Sequence, residues 1–250
     1  MTLGNNRMKQ NKYDDEIFFE KYSKMDRSVK GLTGAGEWET LKRLLPDFQD
    51  KRVLDLGCGY GWHCQYALEH GARKVTGVDI SAKMLEKARE KTDSKITYIQ
   101  MPIEDISFEE NTYDIVISSL AFHYIESFDL ILEKVAGCLV YRGDFIFSVE
   151  HPVFTAYGSQ DWYYDEKGEI LHFPVDNYFL EGERVADFLG EKVVKYHKTL
   201  TTYLNGLIKK GFEVIEVVEP QPTEQMLHTV AGMKDELRRP MMLIISSKKK

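Results

Sequence analysis

The residues best placed to do chemistry lie in the run VLDLGCGYGWHC, residues 53–64. An apolar stretch reaches the carboxylate of Asp55 and then passes through Gly57, Gly59 and Gly61 into a segment with helical spacing. Glycine allows a sharp turn and a close approach of backbone to ligand, because no Cβ stands in the way. A second carboxylate, Asp79, closes the next apolar stretch, VTGVD, where it can accept hydrogen bonds from the two hydroxyls of an adenosine ribose. Two ligand classes compete for this arrangement. Dinucleotides are bound by G-x-G-x-x-G; counted from Gly57, the last glycine of that pattern would fall on Trp62, and the chain reads G-x-G-x-G instead. Asp55, two residues before the first glycine, would repel a pyrophosphate and attract an ammonium or sulfonium group. The spacing therefore favours a cationic adenosine ligand, with an NAD(P)-dependent oxidoreductase as the alternative. Each feature also has a plainer reading: a tight turn for the glycines, and a helix N-cap for Asp79, in competition with Ser81.

The elements that must hold these residues follow from hydrophobic patterning. The runs RVLDL, KVTGVD, ITYIQ, YDIVISS and DFIFSVE read as buried strands, separated by helical segments at Gly61–His70, Ser81–Lys91 and Phe128–Cys138. That alternation predicts a parallel sheet covered by helices. Before it, residues 14–25 and 37–45 read as helices of an N-terminal cap spanning 14–50. After Glu150 the chain turns aromatic and turn-rich, and residues 152–190 read as an insertion that closes as a lid over the site. A helix near Thr199–Lys210 and the strands FEVIEVVE and PMMLIISS complete the sheet over 193–247, and Lys248–Lys250 read as a solvated tail. One domain over residues 1–250 is expected, with the ligand-binding core at 51–150.

Composition limits the function classes. The formal charge of −7 argues against a large nucleic-acid surface, which needs concentrated Lys and Arg. No apolar run approaches the roughly 18 residues of a membrane span, and the N-terminus is polar where a secretory signal would be apolar. With an odd count of three cysteines and no zinc or disulfide spacing, these features predict a cytoplasmic protein without metal.

DLGCGYG, VDIS and YDIVISSLAFHYI resemble motifs of the class I, Rossmann-like S-adenosylmethionine (SAM) dependent methyltransferases. The resemblance runs from about Val53 to Glu150, and more faintly through the last two strands. It implies a doubly wound α/β fold with a seven-stranded, mostly parallel sheet, an antiparallel last strand and helices on both faces. It also implies SAM as cofactor, with Asp55, Gly57, Cys58 and Gly59 against the methionine part, Asp79 on the ribose, and Ile80 and Met84 against adenine. Ser119, at the end of the fourth strand, and Tyr22, on an N-terminal helix, are further expected contacts. Where the family often shows G-D-A-E-D, this chain reads Met101, Pro102, Ile103, Glu104, Asp105. Pro102 has no carboxylate to offer adenine, which leaves the Ile103 backbone N–H and the Glu104 carboxylate.

Of seven histidines, His123 and His151 follow the carboxyl ends of strands, the edge where ligands bind in open α/β sheets, and are the candidates for a general base. The run after the fourth strand lacks the Asn/Asp-Pro-Pro-aromatic pattern common in family members that methylate base or amide nitrogens. A small-molecule acceptor methylated on O, N or C is expected, without nucleic acid or membrane. A SAM-binding protein without transferase activity is a second alternative. Trp162, Tyr163, Tyr164, Phe173, Tyr178 and Phe179 are expected either to form the insertion's own core or to line the acceptor pocket. If exposed, they would suit a homodimer contact.

Overall fold

The computed structural model describes residues 9–250; the polar opening residues 1–8, part of the argument against a secretory signal, lie outside the described residues. The strands are β1 (Arg52–Leu56), β2 (Lys74–Asp79), β3 (Thr97–Gln100), β4 (Tyr113–Ser119), β5 (Leu139–Glu150), β6 (Tyr163–Tyr164), β7 (Ile170–His172), β8 (Gly182–Phe188), β9 (Glu191–His197), β10 (Phe212–Val218) and β11 (Met242–Lys249). The helices are α1 (Glu16–Ser23), α2 (Asp26–Val29), α3 (Trp38–Leu44), α4 (Trp62–Glu69), α5 (Ala82–Lys91), α6 (Phe128–Cys138), α7 (Pro152–Thr155), α8 (Leu200–Lys209) and α9 (Glu224–Thr229).

Seven strands form one sheet in the order β10-β11-β5-β4-β1-β2-β3. β1 to β5 pair in parallel, whereas β11 runs antiparallel to both β5 and β10. Alternation along each strand sends neighbours to opposite faces. Leu54, Val116 and Phe147 join α6 and α8 in one buried cluster, while Val53, Ile117 and Ile146 pack with Trp38, Cys64 and Leu85 from α3, α4 and α5 in the other. The order reverses between β1 and β4, and the carboxyl ends of the strands there open a crevice. Asp55, Asp79, Ser119 and Glu150 all lie at or within a residue of that edge.

Two boundaries differ from the sequence reading. The insertion runs past Gly190, because β8 and β9 form one antiparallel hairpin that turns at Leu189 and Gly190, both at positive φ. Residues 193–197 therefore pair with Gly182–Ala186 rather than joining the central sheet, whose C-terminal part resumes at α8. Lys248 and Lys249 are not a tail but the end of β11: Lys248 pairs with Asp144, and Lys249 Nζ donates to the Leu139 carbonyl at 2.7 Å. No described helix is long and apolar enough to cross a membrane.

Candidate functional site

The glycine turn after β1 is tied to the neighbouring strand. Gly57 and Cys58 both donate their N–H to the Val78 carbonyl, at 2.8 and 3.0 Å, and Gly57 and Gly59 have φ of +75° and +52°. A Cβ on Gly57 would lie 2.4 Å from the Cβ of Ala121, so β1 and β4 can end this close together only with glycine there. A Cβ on Gly59 would meet only the Met84 terminal methyl, at 3.5 Å, and would otherwise project into open space.

Asp79 organises the adjoining edge. One carboxylate oxygen accepts the Gly59 N–H and the other the Ser81 N–H, both at 2.9 Å. Ser81 caps α5 by accepting the Met84 N–H, which leaves Asp79 aimed at the crevice and not spent as the cap. Asp14 reinforces this corner from the N-terminal segment, accepting from the Ser81 hydroxyl at 2.5 Å and the Lys83 N–H at 3.1 Å.

Above the crevice is a cavity of about 720 Å³. Tyr22, Gly57, Gly59, Asp79, Ile80, Met84, Ile103, Glu104 and Ser119 line it, and so does His123. Cys58 lines a smaller adjoining chamber instead. Asp55 lies under the loop, 1% exposed, with Oδ2 accepting from the Cys64 thiol at 3.4 Å and Oδ1 without a partner. Burial pushes its carboxyl up to about 7, against the Cys64 contact and with the charge of Asp79 adding to the rise. Burial likewise raises Asp79 to about 6, opposed by its backbone donors. Two buried carboxylates held this high are a site short of positive charge.

The roof comes from two segments. Lys9, Gln10, Lys12 and Tyr13 face Phe188, Val193, Val194 and Lys195 across the cavity. The Gln10 side chain joins them by donating to the Val194 carbonyl at 3.1 Å and accepting the Val194 N–H at 2.8 Å. The end away from Asp79 carries a buried polar cluster: Lys195 Nζ donates to Glu150 Oε1 and Gln160 Oε1, each at 2.6 Å, and the Gln160 amide donates to Glu150 Oε2 at 2.6 Å. The Tyr13 and Tyr124 hydroxyls approach to 3.3 Å nearby.

The two histidine candidates separate. His123 is buried at the cavity wall, burial pushes its imidazole down to about 4, and its Nδ1 accepts the Glu150 N–H at 3.4 Å. His151 does not reach the cavity: its Nδ1 caps α7 by accepting the Val153 N–H, and its Nε2 lies 2.8 Å from Glu219. The Pro at the first position of α7 makes that residue a natural cap.

None of the six insertion aromatics singled out in the sequence lines the cavity. Trp162 and Phe173 pack with Phe154 around the Arg239 guanidinium, 4.6–5.0 Å from the three ring centroids. Tyr178 packs edge-on to Phe179 and His197. Tyr163, Tyr164 and Phe179 are exposed. Phe154, Phe188 and Tyr196 are the aromatics of this region that reach the cavity.

Residues the sequence did not flag include Arg27, Leu120, Ala121, Gln160 and Lys195. Leu120 takes a left-handed φ of +53° in the run after β4, a conformation that its residue type does not announce. The others are polar or small residues brought in by segments distant in sequence.

A nucleotide-type site at the switch point of a mostly parallel sheet, acidic where a dinucleotide would place phosphate, defines the class. A methyltransferase-domain family model matches residues 54–147. A Listeria monocytogenes structure, assigned provisionally to the SAM-dependent methyltransferases, is 56% identical with a TM-score of 0.84, covering 88% of this chain and 99% of its own. A SAM-dependent methyltransferase from Mesorhizobium loti is 40% identical with a TM-score of 0.81, covering 88% of this chain and all of its own. An uncharacterized Haemophilus influenzae protein is 35% identical over 246 residues, 95% of this chain and 96% of that protein. The chain belongs to the class I SAM-dependent methyltransferases, and SAM is its cofactor. That sets aside the dinucleotide alternative. None of these descriptions names a methyl acceptor.

Proposed function

We propose that this methyltransferase acts on an O, N or C nucleophile of a small molecule. The observation that carries the reading is the roofed cavity. Its volume of about 720 Å³ falls within the roughly 300–1,000 Å³ of small-ligand pockets, and it must hold cofactor and acceptor together under segments 9–13 and 188–196.

When bound, SAM supplies an electrophilic methyl on a sulfonium. Asp79 accepts from the ribose hydroxyls, Ile80 and Met84 flank adenine, and the Ile103 backbone and Glu104 meet its polar edge. Gly57 and Gly59 admit the methionine part, with Ser119 and Tyr22 beside it, Cys58 behind the loop and Asp55 supplying negative charge below. This assignment leaves the end near His123, Tyr124, Glu150 and Lys195 for the acceptor. Holding the two reactants in line contributes on the order of 7–11 kcal/mol, against about 3–5 kcal/mol for a general base. His123 keeps its lone pair on Nδ1 for the Glu150 N–H and so presents Nε2–H to the cavity. In that tautomer it orients the acceptor as a donor and is not a base.

The test is a cellular extract incubated with the enzyme and methyl-deuterated SAM, then fractionated. Label appearing in the low-molecular-weight fraction, absent with the Asp79→Ala variant, supports the reading. Label confined to protein or nucleic acid overturns it.

A further inference from the structure

The end of the cavity away from Asp79 offers hydrogen-bond donors and has its acceptors already engaged. Its polar side chains form one chain of contacts. The Tyr13 and Tyr124 hydroxyls lie 3.3 Å apart, and the Tyr124 and His123 rings pack with centroids 4.4 Å apart. His123 Nδ1 accepts the Glu150 N–H, and Glu150 in turn pairs with Lys195 and Gln160. All six residues line the cavity. Both Glu150 oxygens accept, one from Lys195 and one from the Gln160 amide, and Gln160 Oε1 accepts from Lys195. What remains is hydrogen. His123, 3% exposed, carries one on Nε2, because Nδ1 has spent its lone pair. The two tyrosine hydroxyls need only one of their two hydrogens for each other, and burial pushes both phenols up, so neither ionises near neutral pH. Lys195 Nζ brings three hydrogens to two partners.

Such a wall selects its nucleophile. A hydroxyl or an ammonium must lose a proton to become an effective nucleophile, and no buried group here is free to take it: His123 Nδ1 is engaged and Glu150 is paired with Lys195. Asp79 and Glu104 belong to the cofactor end, and the remaining carboxylates of the cavity, Glu126, Glu183 and Asp187, are exposed. A neutral amine has a single lone pair, which the donors would occupy. A carboxylate is ionised already, and its two oxygens carry about four lone-pair sites, enough to hold several donors and still attack. We propose that the methyl acceptor is a carboxylic acid, bound as its carboxylate by the His123 Nε2–H, the Tyr13–Tyr124 hydroxyl pair and Lys195 Nζ. This rests on the placement of a small-molecule acceptor at this end of the cavity. One carboxylate oxygen forms the new O–C bond as the cofactor's S–C bond breaks, and the electron pair of that bond goes to sulfur. No proton moves, and the products are a methyl ester and S-adenosylhomocysteine. The charges of carboxylate and sulfonium cancel in the step, which a low-dielectric cavity favours. Phe188, whose ring centroid lies 5.4 Å from Lys195 Nζ, and Met242, paired with Glu150 in the sheet, also line the cavity and suit an apolar body on the acid.

Alkali identifies the product. A cellular extract is incubated with the enzyme and methyl-deuterated SAM, and the low-molecular-weight fraction is then treated with dilute sodium hydroxide. Methyl esters hydrolyse and return the label as deuterated methanol, whereas methyl groups on nitrogen, carbon or an ether oxygen stay in place. Most of the label is expected as methanol. Label in that fraction that survives alkali overturns the proposal and leaves the small-molecule reading standing, whereas label found only in protein or nucleic acid overturns that reading and the proposal with it. The donors are tested with Tyr13→Phe/Tyr124→Phe, which removes both hydroxyls and keeps both rings. At limiting extract the rate of alkali-labile labelling is expected to fall by on the order of 10- to 150-fold, the scale of a hydrogen bond to a charged group. It should recover toward the wild-type rate as extract is added in excess, with S-adenosylhomocysteine binding unchanged within about twofold. An unchanged rate, or S-adenosylhomocysteine binding lost in equal measure, overturns the part given to these donors.

Discussion

Asp55 makes the most exacting prediction, because its buried carboxylate must cost the ligand-free protein stability. Its carboxyl is held at about 7 against an ordinary 3.8. A raised value means that the folded state binds this proton more tightly than the unfolded chain. The stabilising contribution is complete below about pH 4 and is lost as pH rises toward 7. At about 1.36 kcal/mol per tenfold change in proton affinity, the loss is about 4 kcal/mol by pH 8. Asp55→Asn removes the titration. The amide nitrogen, placed where Oδ1 has no partner, costs about 1–3 kcal/mol at every pH. The variant is therefore expected to be less stable than wild type near pH 4.5 and more stable, by about 1–3 kcal/mol, at pH 8.

Urea unfolding of both ligand-free proteins between pH 4.5 and 8.5 measures the difference directly, and subtracting the curves cancels the other carboxyls. Those with lowered values, such as Asp114 beside Arg52, stabilise the protein in the opposite sense as pH rises. Parallel curves would refute the reasoning, since they would mean that Asp55 carries no buried charge. A second reading of the same charge comes from the cofactor: a cation that favours the ionised form must release a proton on binding. Near pH 6.5 the observed binding enthalpy of wild type should therefore vary with the ionisation enthalpy of the buffer, more strongly than that of the variant.

Asp79→Ala is expected to weaken S-adenosylhomocysteine by about 1.5–3 kcal/mol while circular dichroism stays native; unchanged affinity removes Asp79 from the ribose. Gly59→Val should cost more, because the residue sits at φ +52° and its side chain would project into the cavity; retained tight binding would mean that the loop does not carry the cofactor. His123 should titrate near pH 4 by NMR, against an ordinary 6.5, so that protonation destabilises the fold only as pH falls below about 6.5; a midpoint near 6.5 would mean that water reaches it. Arg239→Met should free the insertion from its cage of Phe154, Trp162 and Phe173, read as faster limited proteolysis between 157 and 181 at unchanged cofactor affinity; equal proteolysis rates would show that the cage does not hold that segment.

How much of this was legible beforehand depended on the range over which each feature is written. The strand KVTGVD and the helix FDLILEKVAGC lie where their hydrophobic periods put them, because burial on one or both faces is recorded in adjacent residues. The cofactor edge was legible for the same reason: in a doubly wound sheet the residues that follow successive strands must meet at one rim, so Asp55, Gly57, Asp79 and Ser119 were brought together by topology alone. His151 shows the limit of that rule, since it also follows a strand end and yet is drawn away from the cavity by capping α7. The β8–β9 hairpin was misdivided because its alternation, EKVVKYH, is the same whether a strand joins the central sheet or pairs with its own neighbour. Register with a partner is not a local property. Arg27, Glu37 and Lys195 were hidden more deeply, since a lone charged residue in a sequence reads as solvated surface until something shows what buries it. Each gains its meaning from a partner far along the chain: Lys195 from Glu150 and Gln160, Arg27 from Glu37 and the loop at Gly57. The end of the cavity proposed for the acceptor is built almost wholly from such pairings, whereas the end proposed for the cofactor is built from strand ends in register, and this is why the sequence speaks clearly about SAM and hardly at all about what receives the methyl.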